Sequence, residues 1–201
     1  TMEERIEAAR KCHELGITTR YKYKPIVPVV NWREEIAEMT RLVFERSHPD
    51  LIALFTLAWM TYEELVTSCD TKYLDPVYLE AARDSVESLK DLRVKPFPHW
   101  VRKEMYEFCI EQIRQYDKDI PIVLCTESTQ MWDELGESVA RASRSILLLS
   151  RKTKISAERG ARHKSSVITL FPTRRCMECP PCRDARSGRA ADTPRPRINI
   201  A

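Results

Sequence analysis

Glycine is scarce in this chain, and its scarcity excludes several kinds of phosphate-binding site. Only four glycines occur among 201 residues. Neither a GxGxxG fingerprint nor a P-loop is present, and both need glycines where the backbone approaches a phosphate. GxSxG and HExxH are also absent, and no histidine belongs to a recognisable serine or cysteine nucleophile motif. The sequence therefore argues against nucleotide kinases and the common hydrolase classes.

Long apolar runs are missing as well. No stretch reaches the about 18 apolar residues of a transmembrane helix, so we expect no membrane partner. The longest apolar stretch, Leu51 to Met60, is interrupted only by Thr56 and has the length of a buried strand. The N-terminus is charged and amphipathic, unlike a signal peptide. Of seven cysteines, four are scattered in apolar or helical settings, which favours a reducing compartment and a cytoplasmic location.

Charge divides the chain into two regions. Residues 1–150 carry 20 Lys+Arg against 26 Asp+Glu, whereas residues 151–201 carry 13 against 4. We therefore predict an α/β domain over residues 1–140 and a basic, low-order tail over residues 141–201, without regular structure from Arg151 onward. The Arg-, Ser- and Pro-rich composition of this tail is also typical of out-of-frame translation, and that alternative stays open beyond about residue 140.

The pattern of the first region predicts capped helices alternating with three strands. Thr1 and Glu4 form a capping box for a first helix, and Asn31, Thr61 and Ser128 are predicted to cap later helices. Strands are predicted at 18–27, 51–58 and 120–127. Alternating strands and helices indicate a parallel sheet.

Three strands form an incomplete sheet, and the chain opens directly on a helix. We therefore expect a fragment: the C-terminal part of a barrel or of a doubly wound sheet. The missing part would leave the edge of the 18–27 strand open, which predicts poor solubility.

Ligands of parallel βα folds meet the carboxyl ends of the strands. That rule selects Lys24 after the first strand, Thr56 and Trp59 after the second, and Cys125 and Glu127 after the third. Each has an alternative role. For Glu127, three interpretations stay open. It accepts hydrogen bonds from a ribose or an ammonium group of a ligand, or it acts as an acid or base in another barrel enzyme. In the third interpretation, Glu127 or its neighbour only caps the next helix.

The other strand-end residues also have two interpretations. Cys125 faces substrate or is a buried structural thiol. Lys24 shares one strand face with Arg20 and Lys22, and this stripe faces either an anion or solvent.

The tail contains a CxxCxxC run formed by Cys176, Cys179 and Cys182. Thiolates at this spacing can reach one metal, either zinc with His163 as the nearest fourth ligand or the irons of a cluster. Structural zinc sites normally pair two such groups, and only one is present. The tail arginines can neutralise nucleic-acid phosphates, but without interleaved aromatic residues they equally suit a solvated tail.

Two longer stretches resemble a known family. The first runs from Thr1 to Arg10, continues through His13-Glu14-Leu15-Gly16, and passes a strand into Lys24-Pro25-Ile26-Val27-Pro28. The second joins 105–114 to 121–128 and Met131-Trp132. Over residues 1–136 this pattern is similar to radical S-adenosylmethionine proteins, and more narrowly to the spore photoproduct lyase-like group.

The resemblance implies the C-terminal half of a (βα)6 barrel. Such enzymes use a [4Fe-4S] cluster to cleave S-adenosylmethionine into methionine and a 5′-deoxyadenosyl radical, and the named lyase repairs a thymine photoproduct in DNA. The cluster motif CxxxCxxC belongs to the N-terminal half, which would be this chain's missing partner. The tail CxxCxxC is one residue short and at the other end, so that role is not transferred to it.

By position, the resemblance implies that Lys24, Thr56 and Glu127 meet the cofactor and that Trp59 and Cys125 face substrate. It also implies that the chain is inactive alone. The alternative hypothesis is a non-enzymatic metal- or nucleic-acid-binding protein whose working part is the basic cysteine tail.

Overall fold

The computed structural model describes residues 1–136, 138, 139 and 165–170, which form an α/β fold. None of the helices in these residues is long and apolar enough to cross a membrane. The elements in chain order are α1 (Met2–Glu14), β1 (Thr18–Ile26), α2 (Trp32–Arg46), β2 (Leu51–Thr56), α3 (Tyr62–Ser68), a 3-10 turn (Thr71–Tyr73), α4 (Pro76–Asp84), α5 (Val86–Leu89), α6 (His99–Tyr116), β3 (Ile122–Leu124), α7 (Thr129–Glu134) and β4 (Ser165–Leu170).

The strands form one parallel sheet in the order β3-β2-β1-β4. The predicted parallel βα arrangement is therefore confirmed. β2 is buried along its whole length, as its unbroken apolar sequence predicts. The pairing of β1 with β2 runs from Arg20 opposite Leu51 to Tyr23 opposite Leu54, and it is irregular between Tyr23 and Ile26.

The prediction that no regular structure follows Arg151 is wrong for residues 165–170. This segment forms β4, which pairs with β1 from Thr18 opposite Ser165 to Tyr23 opposite Leu170. Its sequence, SSVITL, contains β-branched residues that favour a strand once a partner edge is available. The edge of β1 that the sequence predicted to be open is consequently paired.

Helix starts follow the predicted caps with one exception. The Thr1–Glu4 and Thr61–Glu64 capping boxes both form, and the Ser128 hydroxyl accepts a hydrogen bond from the Met131 amide at 3.2 Å. Asn31 precedes α2 as expected, but its backbone is left-handed at φ 65° and its side chain makes no capping bond. Asparagine suits this position because it adopts a positive φ more readily than most other residues.

The core lies on one face of the sheet. Tyr21, Tyr23 and Ile26 of β1 are fully buried in the same cluster as the inward residues of β2, and α1, α2 and α6 contribute their apolar stripes to it. The alternate residues of β1 point to the second face, where Arg20 and Lys22 are half-buried. The helix-packed core and the basic row are thus separated by the thickness of the sheet.

Candidate functional site

The carboxyl ends of β1, β2 and β3 meet at one edge of the sheet, as parallel pairing requires. Leu54 lies opposite Tyr23 on one side and Leu124 on the other, and the Cys125 amide donates to the Leu54 carbonyl at 2.9 Å. Phe55 and Thr56 follow on opposite faces of β2. Two side-chain clusters result, a buried polar one on the core face and an aromatic one on the second face.

The buried polar cluster is centred on Glu127. Its Oε1 accepts hydrogen bonds from Arg102 Nε and from the Tyr106 hydroxyl, both at 3.0 Å, and lies 3.5 Å from the Thr56 hydroxyl. The Glu127 and Arg102 side chains are 1% and 2% exposed, so this is a buried ion pair. The pair ties the loop after β3 to α6 and to the end of β2.

The remaining polar atoms of the cluster also have partners. Glu127 Oε2 accepts from the Ser128 amide at 3.1 Å, and Arg102 Nη1 donates to the Phe97 carbonyl at 2.6 Å. The Thr56 amide donates to the Tyr106 hydroxyl oxygen at 3.1 Å. Each contact offsets part of the large cost of moving charges out of water. A ligand that used Glu127 would therefore have to compete with these protein contacts.

Burial raises the pKa of the Tyr106 hydroxyl well above its ordinary value, and the negative charge of Glu127 raises it further. The phenol therefore stays protonated and donates its hydrogen to Glu127. Thr126, directly before the carboxylate, has a positive φ of 59°, which is unusual for a β-branched residue. The ion pair on one side and the Cys125–Leu54 hydrogen bond on the other hold this strained residue in place.

The aromatic cluster contains Lys24, Phe55 and Trp59. Lys24 Nζ lies 4.4 Å from the centroid of the Phe55 ring and 5.5 Å from that of Trp59, both within cation–π range. The two rings are 5.4 Å apart and tilted. Trp59 is 55% exposed and has φ 67°, and its amide donates to the Arg93 carbonyl at 3.0 Å. A cation and an exposed indole ring thus stand together at the sheet edge.

The basic row continues away from this cluster along β1. Lys24, Lys22 and Arg20 occupy alternate positions of the strand and are half-buried. The Nε of Arg20 is buried and has no hydrogen-bond partner among the residues that the structure describes. Three cations on one face of a single strand favour an anionic ligand for that face.

The structure thus brings the predicted residues to one edge but divides them between two faces. Thr56 and Glu127 touch each other in the buried cluster, and Lys24 and Trp59 form the aromatic one. Cys125 is half-buried beside Thr126, with 3.6 Å between Sγ and the Thr126 hydroxyl. The capping alternative proposed for Glu127 holds for its neighbour Ser128.

The sequence did not single out Arg102 or Tyr106. A signal was present, because Arg102 lies three residues before Met105 and seven before Cys109 on the predicted inward stripe of α6. A cation on an apolar stripe indicates a buried partner, since isolated charges are not buried. Which carboxylate pairs with it depends on how α6 packs against β3.

Metal-binding residues are dispersed in the described part of the chain. No group of three or more His, Cys, Asp or Glu side chains there is positioned to hold a metal ion. The free cysteines Cys12, Cys69, Cys109 and Cys125 belong to different parts of the fold. The predicted metal ligands Cys176, Cys179 and Cys182, with His163, lie outside the described residues.

In comparisons with known proteins, no family model, curated protein or solved structure matches the chain.

Proposed function

We propose that this chain forms part of the parallel βα fold of a radical S-adenosylmethionine enzyme of the spore photoproduct lyase-like group. The observation that carries this proposal is that consecutive strands lie side by side in the sheet while the helices pack on one of its two faces. β1, β2 and β3 are neighbours in chain order, and α1, α2 and α6 share the core on one face of their sheet. In a βα barrel the helices form such an outer layer, and the second face of the sheet faces the barrel interior.

The second face has properties that suit a barrel interior. It carries the row Arg20, Lys22 and Lys24 together with the buried residues Leu51 and Phe55, which lie outside the helix-packed core. A row of cations suits an anionic substrate such as DNA. In the proposed parent protein, Lys24 and Trp59 at the carboxyl edge would contact that ligand, and the group's named substrate is a lesion in DNA.

Within this proposal the buried cluster has a supporting role. The Arg102–Glu127 pair fixes the loop that carries Cys125 and Thr126, so those two residues are presented at the edge in a fixed orientation. Thr56 and Tyr106 couple the same loop to the end of β2. Glu127 then orients the edge and is not a ligand itself.

The described residues do not fit the iron–sulfur cluster that the group requires. Such clusters are held by closely grouped thiolates. Here Cys109 is fully buried in α6, and Cys12 lies on α1, remote in the fold from Cys125 at the sheet edge. In the proposed parent protein, the cluster is therefore bound by another part of the chain.

The position of β4 favours a second arrangement of the same elements. The order β3-β2-β1-β4 is that of the first strands of a doubly wound sheet, in which ligands bind where the strand order reverses, between the carboxyl ends of β1 and β4. In a barrel, the edge of β1 that β4 occupies would pair with a preceding strand. The barrel proposal thus predicts that β4 is displaced when that strand is supplied.

The decisive experiment is to sequence the coding DNA upstream of Thr1 and then to assay the extended product. The proposal predicts an in-frame CxxxCxxC. Anaerobically purified extended protein should bind iron and cleave S-adenosylmethionine under reducing conditions. A stop codon shortly before Thr1, or an in-frame extension without the cysteine motif, would overturn the proposal.

Variants of the extended protein then test the sheet edge. Lys24→Ala should weaken binding of the proposed DNA substrate, because it removes the cation from the aromatic cluster. Lys90→Ala is the matched control, since Lys90 follows α5 and pairs with Glu87 on the surface. Equal affinities for the two variants would refute the assignment of Lys24.

A further inference from the structure

Trp59 occupies an unusual position for a tryptophan. Its backbone φ of 67° lies in the left-handed region, where so bulky a side chain is an outlier. Its ring is 55% exposed and lies outside the core cluster that the described residues form, whereas Trp32 is 2% exposed and belongs to that cluster. The fold therefore holds Trp59 in a strained backbone without burying its ring in the core. Strain of this kind collects at functional sites, and an exposed ring there indicates a ligand that contacts it.

The backbone of this segment is fixed by the chain between α5 and α6. Ala58 forms an antiparallel bridge with Pro96, and the Trp59 amide donates to the Arg93 carbonyl at 3.0 Å. The indole ring is consequently presented from a fixed backbone. Fixing it in advance lowers the conformational entropy that is lost when a ligand binds.

A cation lies beside the exposed ring. Lys24 Nζ is 5.5 Å from the centroid of the Trp59 ring and 4.4 Å from that of Phe55. Phe55 is 4% exposed, so Trp59 presents the accessible ring of the pair. A flat aromatic ring next to an ammonium group matches the chemistry of a nucleotide, because the base stacks on the ring and the phosphate binds the cation.

The basic row extends this match along β1. Alternate residues of a strand lie roughly 6.5 Å apart, which is close to the step between neighbouring phosphates of one DNA strand. Lys24, Lys22 and Arg20 thus offer successive positive charges at that step. The β2 residues opposite Arg20 and Lys22 are Leu51 and Ala53, which carry no charge to neutralise them. A DNA strand with one base on Trp59 can therefore lay its phosphates along this row.

We propose that Trp59 stacks against an unpaired base of single-stranded DNA while Lys24 binds the adjoining phosphate. The bases of duplex DNA already stack on one another and offer no free faces along its length, so the site selects a single strand. This inference rests on the proposed function for its choice of DNA as the ligand, and it adds how the strand is bound.

The test measures binding of the full chain to fluorescein-labelled DNA by fluorescence anisotropy. Three ligands are compared: an oligothymidine single strand, the same backbone without bases, and the duplex of oligothymidine with oligoadenine. Trp59→Gly removes the ring, and glycine adopts a φ of 67° without strain. We expect this substitution to weaken oligothymidine binding by about 5- to 150-fold, the effect of losing one stacked base. The affinities for the abasic strand and the duplex should change far less.

Further variants separate stacking from charge. Trp59→Phe keeps an aromatic ring and should retain most of the oligothymidine affinity, whereas Lys24→Ala should weaken binding of the single strand with and without bases. Trp100→Ala is the matched control, because Trp100 is 51% exposed but lies on α6 beside Tyr78. It should leave all three affinities unchanged. The basic tail is present in every variant, so its contribution cancels when variants are compared.

The inference is overturned if Trp59→Gly leaves oligothymidine affinity unchanged, if it weakens all three ligands equally, or if Trp100→Ala causes the same loss. Circular dichroism of each variant checks that the fold is intact. Such a result would leave the enzyme assignment standing, because that assignment depends on the upstream cysteine motif and on cleavage of S-adenosylmethionine. Conversely, a missing cysteine motif overturns the enzyme assignment without altering these affinities.

Discussion

The Arg102–Glu127 ion pair yields the sharpest prediction for the stability of the fold. Both side chains are almost completely buried, so removing one leaves the other charge in a medium that solvates it poorly. Breaking a buried pair in this way costs about 3–5 kcal/mol, a large part of the roughly 5–15 kcal/mol that keeps a domain folded. Arg102→Met keeps the aliphatic stem of the side chain and removes the charge, so it isolates the electrostatic loss.

Glu127→Gln keeps the shape of the side chain but turns one carboxylate oxygen into a donor. With Oε1 still facing Arg102 and Tyr106, that new donor faces the Ser128 amide, itself a donor. We expect a loss of about 1–3 kcal/mol for the unmet hydrogen bond, and more for the uncompensated charge of Arg102. The double variant Arg102→Met with Glu127→Leu buries no charge and should be more stable than either single variant.

The assay is urea unfolding followed by circular dichroism, with the free energy of unfolding obtained by linear extrapolation for the four members of the cycle: the natural chain, Arg102→Met, Glu127→Leu and the double variant. The exposed pair Arg83–Glu80 is the control, and Glu80→Ala should leave stability unchanged within error. If Arg102→Met lowers the free energy of unfolding by less than about 1 kcal/mol, the pair is not buried as described. Additive effects of the two substitutions would show that the side chains are not coupled.

Three further predictions concern other parts of the fold. The Lys103 ammonium, followed by His99 and Gln130, holds the pKa of Glu134 at about 2, against 4.5 for the free group. A carboxyl group with a lowered pKa stabilises the fold above pH 4.5, and this stabilisation is lost as the pH falls toward 2. The difference in melting temperature between the natural chain and Glu134→Gln should therefore vanish as the pH falls from 4.5 toward 2. Thr61→Ala removes the cap of α3 and should cost about 1 kcal/mol in urea unfolding, whereas Thr61→Ser should cost far less. Deleting residues 165–170 uncovers the edge of β1, so light scattering should show concentration-dependent aggregation, and an unchanged monomer would contradict the β1–β4 pairing.

Local sequence was enough to predict much of the fold, because much of it depends on local chemistry. The unbroken apolar run at Leu51–Thr56 specifies a strand buried on both faces, and Thr61 with Glu64 specifies a helix start. The parallel sheet then places Lys24, Thr56 and Glu127 at one edge by topology alone. These predictions need only the periodicity of side chains along the chain.

The remaining features depend on contacts between distant residues. Arg102 and Glu127 are brought together by the packing of α6 against β2 and the loop after β3, which periodicity does not specify. β4 becomes a strand because β1 offers it an edge, and the basic composition around it hides that preference. Likewise, Lys24 and Thr56 fall on opposite faces only once the register of β1 and β2 is known.

The pairing of β1 with β4 also has a consequence for biosynthesis. Thr18 emerges from the ribosome well before its partner Ser165, which is made after every other described element. Until Ser165 is made, β1 can pair with β2 along one edge, but the amides and carbonyls of its other edge have no strand to pair with. Closing so long a loop is slow, and unpaired strand edges attract other chains in the meantime. The nascent chain should therefore depend on chaperones for longer than its helices and its β1–β2 pairing would require.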